Sequence, residues 1–310
     1  MNQRQSLPGC MLYNSQQLSA RFVDADSDIV VVSFPDRVHP TDLLGKGWGE
    51  DFFNHRELSA VYINIAATNW FQISDFFDAM ATIRAAIGSG SRVVTYGSSM
   101  GGYAALLAAK ALNADRCLAL APQFDISQTV VPFETRFQEH AHRIGPFMHI
   151  LKAHASQRCA YYVAYDPTHR IDAKHVVLLE QYFNLKRVLC HGAGHGVLSH
   201  WIETKALAEL SCFLTGELDV SDFRKAIRAR RINSPKYLRR MANKAAKAQH
   251  IGLIDYSGLA REQGFLKVAD KIRAAAPKPR KLNRRLVIHA GLAKKGTSSL
   301  KTHLFPHVEK

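Results

Sequence analysis

Residues 93–107 read VVTYGSSMGGYAALL, and within them Gly97, Ser98, Ser99, Met100 and Gly101 form a G-x-S-x-G pattern with Gly102 behind it. A serine hydroxyl is a poor nucleophile unless it projects from a tight strand-to-helix turn toward a base. Such a turn forces strained backbone angles at the serine and leaves no room for neighbouring Cβ atoms, which accounts for glycine two positions to either side. The helix that follows aims its N-terminal amides at the reacting oxygen, so the Met100 N–H becomes one donor to a developing oxyanion. With glycine near ~7% of residues, the bare pattern arises by chance in roughly one chain in ten to twenty of this length. Its setting decides the matter: an apolar strand runs into it and an Ala-rich helix begins at once behind it.

A nucleophilic serine needs a base, expected late in the chain in the order serine, acid, histidine. Residues 186–201 read KRVLCHGAGHGVLSHW. His195, between Gly194 and Gly196, has the uncrowded loop that a mobile imidazole requires; His191, at the strand end, is the alternative. The acid belongs after the preceding strand, where AYYVAYDPTHRIDAKH offers Asp166 and Asp172. Asp166 fits the expected position at the strand end and is the favoured residue, its task being to hold the His195 tautomer and stabilise the imidazolium. Asp172 reads equally well as a helix N-cap. The second oxyanion donor falls after the strand 28–34. Pro35 has no N–H, which leaves Phe34, Asp36 or Arg37, with Phe34 taken as the candidate.

The elements that must position these residues are visible as apolar, β-branched runs alternating with helical patterns over 28–214. Strands are predicted at 28–34, 60–65, 92–96, 116–121, 160–165 and 187–190, with helices over 74–87, 101–112, 133–153, 173–183 and 197–214. That alternation predicts an α/β fold, a mostly parallel sheet covered by helices on both faces. Residues 123–158 are the expected cover of the pocket.

The 310-residue chain carries a formal net charge of +15, but the charge is not evenly spread. Residues 221–285 hold 19 Lys and Arg against 4 Asp and Glu, whereas 1–220 hold 18 against 21. The nearly neutral part carries the chemistry, and the basic part reads as Ala-rich helices. The expected organisation is a catalytic domain at 1–218, a basic helical segment at 219–275, a Pro- and Lys/Arg-rich linker at 276–285, and a strand–loop–helix beginning at 286–310. The basic segment has few aromatic residues for base stacking and no recognised reader motif, which argues against nucleic acid. No apolar run reaches the ~20 residues needed to span a bilayer. No secretory leader is apparent, the five cysteines are scattered, and no residues have metal-ligand spacing, so a reduced, cytoplasmic protein without a metal is expected.

YGSSMGGYAALLAAKALNADRCLALAPQFDIS, together with NWFQ at 69–72 and GHGVLSHWIETKALAELSCFL at 194–214, resembles the bacterial α/β hydrolases. The resemblance covers roughly 28–214 and implies the α/β-hydrolase fold, with Ser99 and His195 as nucleophile and base. The spacing around Asp166 and Asp172 departs from the acid loop common in these enzymes. A second resemblance lies in RLVIHAGLAKKGTSSLKTHLF, at 285–305, which looks like the strand–loop–helix that opens sulfotransferases. It implies an anion cradle of Lys294, Gly296, Thr297 and Ser298 for the phosphosulfate end of 3′-phosphoadenosine 5′-phosphosulfate. Lys295 replaces the usual Ser or Thr. The chain ends ten residues after Leu300, so no cofactor is expected to act in it.

Together these readings predict an esterase or deacylase working through an acyl-enzyme, its substrate a small-molecule or glycan ester. Two alternatives remain: a non-catalytic binding or scaffold module using the basic helices, or the remnant of a bifunctional hydrolase–sulfotransferase.

Overall fold

A computed structural model describes residues 9–88, 90–247 and 254–276. The sulfotransferase-like segment, with Lys294, Gly296, Thr297 and Ser298, lies outside the described residues.

Eight strands form one sheet: β1 (Cys10–Asn14), β2 (Leu18–Val23), β3 (Ile29–Phe34), β4 (Ser59–Ile65), β5 (Arg92–Ser98), β6 (Arg116–Leu120), β7 (Ala160–Tyr165) and β8 (Leu185–Leu189). Their order across the sheet is β1-β2-β4-β3-β5-β6-β7-β8. β2 runs antiparallel to β1 and β4, and every pairing from β4 through β8 is parallel. This is the α/β-hydrolase arrangement. Between and after the strands run helices α1 (Glu50–His55), α2 (Phe76–Ile87), α3 (Met100–Ala108), α4 (Gln138–Ile144), α5 (Arg170–Leu179), α6 (Val197–Glu203) and α7 (Leu207–Thr215). The basic segment follows as α8 (Val220–Ala229), α9 (Pro235–Lys247), α10 (Tyr256–Glu262) and α11 (Leu266–Ala275).

The runs of Val and Ile make buried strands because both faces of the sheet are covered. Along β3, Val30, Val32 and Phe34 enter the core layer beneath α2 and α3, while Ile29 and Val31 enter the opposite layer with Trp201 and Phe213. That period of two is the pleat of a strand. α8 belongs to the second layer, since Phe223 stacks on Phe213 at 4.7 Å and meets Trp201 edge-on at 5.1 Å. Its apolar positions therefore hold the first basic helix against the sheet domain. α9, α10 and α11 share a smaller cluster built on Leu238, Ala260 and Ala269.

Several elements differ from expectation, among them α1, which no predicted helix covers. The sequence reading misses β1 and β2, because an antiparallel edge ribbon with polar and half-exposed positions lacks an apolar run. The helix expected over 133–153 is only α4 plus a 3-10 turn at Leu151–His154; Gly145, at φ 74°, and Pro146 stop it. The helix expected over 197–214 is broken into α6 and α7, with Lys205 at φ 55° between them. Among the described residues no helix is long and apolar enough to cross a membrane.

Candidate active site

Ser99 occupies the turn between β5 and α3 with φ 54° and ψ −115°, a conformation costly for any residue bearing a Cβ. Neighbouring backbone fixes it there. The Ser99 N–H donates to the Leu120 carbonyl at 2.7 Å, and its own carbonyl accepts from Tyr103 N–H in α3. The flanking glycines are demanded by close backbone contact. A Cβ on Gly97 would stand 2.2 Å from the Gly101 carbonyl oxygen, and one on Gly101 would stand 2.3 Å from the oxygen of Phe34. The chain leaving β3 thus presses on the first turn of α3, at whose start Met100 lies. Phe34 is the last residue of β3, in register with Gly97.

His195 Nε2 lies 3.0 Å from Ser99 Oγ, and on its far side Nδ1 lies 3.0 and 3.1 Å from the two carboxylate oxygens of Asp172. Ser99 and His195 are therefore brought together. The carboxylate that joins them is Asp172 and not Asp166. Asp166 directly follows β7, and its side chain is already engaged. Oδ1 accepts from the Thr168 N–H and hydroxyl, and Oδ2 accepts from the Gly194 N–H at 2.8 Å. It ties down the loop before His195 without touching the ring. Nor is Asp172 an N-cap: His169 caps α5, and Asp172 lies in the helix's first turn. His191 is exposed, and it is His195 that meets Ser99.

The buried surroundings of Asp172 explain its charge. Burial alone would raise its pKa, but the His169 and His195 hydrogen bonds and the Arg136 cation outweigh that and hold it well below the ordinary carboxylate range. Arg136 reaches Asp172 Oδ1 at 2.8 Å and Glu134 Oε2 at 2.6 Å. Glu134 in turn accepts from His175 Nε2 at 2.9 Å, and His175 Nδ1 accepts from the Phe124 N–H at 3.1 Å, which fixes that ring as the Nε2–H tautomer. Burial opposes ionisation of Glu134 as well, yet the bonds from His175 and Arg136 bring it down to about 2.

On the opposite side of the serine, Gln123 Nε2 lies 3.2 Å from Ser99 Oγ and is shared with the Ala121 carbonyl, while Gln123 Oε1 accepts from Trp70 Nε1 at 3.1 Å. Gln123, Glu134 and Arg136 are absent from the sequence reading. Gln123 had a signal, its place just beyond the carboxyl end of β6, where open α/β sheets put their ligands. Glu134 and Arg136 had none, because nothing in the local pattern of 123–158 links them to Asp172. Among the described residues no group of three or more His, Cys, Asp or Glu is placed to hold a metal ion.

No family model matches the chain, and no curated protein matches it in sequence. Solved structures do resemble it. The capsule O-acetyltransferase of Neisseria meningitidis serogroup A aligns at TM-score 0.49 and 13% identity over 69% of this chain and 96% of its own. The Pyrococcus furiosus esterase Pf2001 aligns at 0.48 and 12%, over 67% and 90%. A thermophilic esterase from Thermogutta terrifontis aligns at 0.45 and 15%, over 68% and 94%. Likeness of this degree identifies neither substrate nor catalytic residues.

Proposed function

We propose that this chain is a serine hydrolase of carboxylic esters, with Ser99 as nucleophile, His195 as general base and Asp172 as the orienting acid. The observation that carries the reading is the continuous path from Asp172 through both nitrogens of His195 to Ser99 Oγ, with the serine held on a strained turn. Geometry of this kind, not chain position, identifies such a site.

The steps follow from the partners of each atom. Nδ1–H of His195 donates to Asp172, so Nε2 carries the lone pair that faces the serine hydroxyl. As Ser99 Oγ bonds to the ester carbonyl carbon, its proton passes to Nε2, and Asp172 stabilises the imidazolium. The Met100 N–H and an N–H from the chain leaving β3 at Phe34 would receive the oxyanion. Collapse of the tetrahedral intermediate transfers the Nε2 proton to the leaving alcohol and leaves an acyl-serine. Water then repeats the sequence and releases the acid. Arg136 is engaged by Glu134 and Asp172 and keeps the latter ionised.

The leaving group we favour is a hydroxylated metabolite or glycan. Trp70, Phe137 and His140 cluster beside Gln123, with Arg37 over the Phe137 ring. Trp70 and Phe137 are buried, so the groups reaching the surface there are the half-exposed His140 and the exposed Arg37, and such polar and cationic groups suit a polyol better than a long acyl chain.

Labelling with a fluorophosphonate, alongside release of p-nitrophenol from its acetate, tests the reading. The wild-type chain is expected to label, and Ser99→Ala to lose labelling and about 10⁶-fold of the turnover. A folded wild-type protein that neither labels nor hydrolyses the ester would overturn it.

A further inference from the structure

The basic residues of the helical segment converge on a concavity away from the serine. On α8, Arg224, Lys225 and Arg228 share one face by their spacing, and Arg231 follows in the next turn. They border a cavity of about 570 Å³. The opposite wall is the end of β8 with His191, and Tyr237 and Met241 of α9 complete it. Ser99, His195 and Asp172 are not part of its lining.

Charge makes this cavity unusual. Lys225 bridges to Asp222 at 2.8 Å. Among the described residues, no carboxylate lies within ion-pair distance of Arg224, Arg228 or Arg231. Arg231 is nonetheless held in place, its Nε donating to the Tyr237 hydroxyl at 3.0 Å and its Nη1 to the Arg228 carbonyl at 2.9 Å. A second, independent feature borders the same space. His200 is 3% exposed, and its Nδ1 has no hydrogen-bond partner. A buried polar atom left unpaired costs stability, as do like charges gathered without a counter-charge. The second of these costs falls if an anion occupies the cavity.

We infer that this cavity is a binding site for a small phosphorylated molecule. Its phosphate would face Arg224, Arg228 and Arg231, and its organic part would rest against Tyr237 and Met241. Guanidinium groups match phosphate oxygens by paired N–H donors. The volume lies within the roughly 300–1,000 Å³ usual for small-molecule pockets. A nucleic-acid strand would instead call for a groove lined with successive aromatic platforms, and among the described residues Tyr237 is the one Phe, Tyr or Trp in the lining.

Calorimetric titration of the full chain with inorganic pyrophosphate, at constant ionic strength, tests the inference. Saturable one-site binding is expected for the wild type and for Lys267→Gln/Lys271→Gln, which alters exposed charges on α11. Arg224→Gln/Arg228→Gln is expected to bind roughly 10- to 100-fold more weakly, two charge-assisted contacts being removed. Should that double variant fold poorly, protection of the wild-type arginines from phenylglyoxal by pyrophosphate, read by peptide mass mapping, gives the same answer. Absence of saturable binding would overturn the inference, as would equal weakening in both double variants. Tight binding of a single-stranded oligonucleotide that pyrophosphate cannot displace would overturn it too, by assigning the cations to a polymer surface.

Discussion

The turn carrying Ser99 and the helix start carrying Asp172 serve the same hydrogen-bonded path but are held by opposite kinds of force. At the serine, backbone presses on backbone: Gly97 on Gly101, and Gly101 on Phe34. The constraint is steric and independent of charge, and it comes from the turn itself and the adjacent strand. At the acid, position depends on charged and hydrogen-bonding side chains arriving from elsewhere. Arg136 comes from the stretch before α4, His195 from the loop after β8, and Glu134 and His175 brace Arg136 from behind. Close packing tolerates almost no change in shape. A charge network tolerates shape better but responds to pH and to loss of any one partner.

The sharpest way to break the comparison is to separate the two aspartates. Asp172→Asn should lower kcat on p-nitrophenyl acetate about 10⁴-fold, because an amide can neither fix the His195 tautomer nor offset the imidazolium. Asp166→Asn should cost only ~10-fold, with a stability loss of ~1–2 kcal/mol, since Asn keeps one acceptor but not all the bonds to Thr168 and Gly194. Steady-state kinetics and thermal melts on both variants decide it. Equal losses of kcat would return the role of acid to Asp166.

This pair also shows how far the sequence could be read. Ser99, its glycines and the six strands from β3 to β8 were legible because each is declared by neighbouring residues: an apolar run, a turn and a helix start. His195 was legible from its place between two glycines in the expected loop. The acid was not, because what decides between Asp166 and Asp172 is the long-range placement of Gly194 and His195, which leaves no trace in the local sequence. Thr168 and Gly194 occupy the carboxylate nearer the strand, leaving the one in α5 to face His195. β1 and β2 escaped for a related reason. The pairing of β2 with β4 is long-range, β1 joins the sheet only through β2, and the residues of both lack a continuous apolar run.

The steric half of the comparison is tested at Gly101. Gly101→Ala places a methyl group 2.3 Å from the Phe34 oxygen and 2.7 Å from that of Pro35, both backbone atoms. Overpacking against backbone that cannot yield should cost ~3–5 kcal/mol, seen as a lowered melting temperature or as insoluble protein. Gly145→Ala is the counterpart. Its φ of 74° is unfavourable, but no atom lies within 4 Å of the new methyl, so a loss of only ~1 kcal/mol is expected. A Gly101→Ala protein as stable as Gly145→Ala would remove the steric account of the turn.

The electrostatic half is tested at Glu134, where the effect is smaller and its pH dependence is the diagnostic. Its folded-state pKa is depressed from 4.5 to about 2, so its ionised form stabilises the fold above pH 4.5. That contribution is lost as pH falls from 4.5 through about 2. Glu134→Gln cannot lose a proton and so cannot contribute to that slope. At neutral pH it should be less stable than wild type by roughly 1–3 kcal/mol, because Arg136 and His175 lose a charged partner. As pH falls through the window, the gap between the two proteins should narrow. Asp172, also depressed, leaves the variant a residual slope. The deficit of Gly101→Ala, by contrast, should stay constant over the same range, since no proton is linked to a steric clash. Melting temperatures of the three proteins across that window would distinguish the two regions directly. A Glu134→Gln deficit that fails to narrow on acidification would mean that the carboxylate acts through shape, and that the start of α5 is held by packing as the serine turn is.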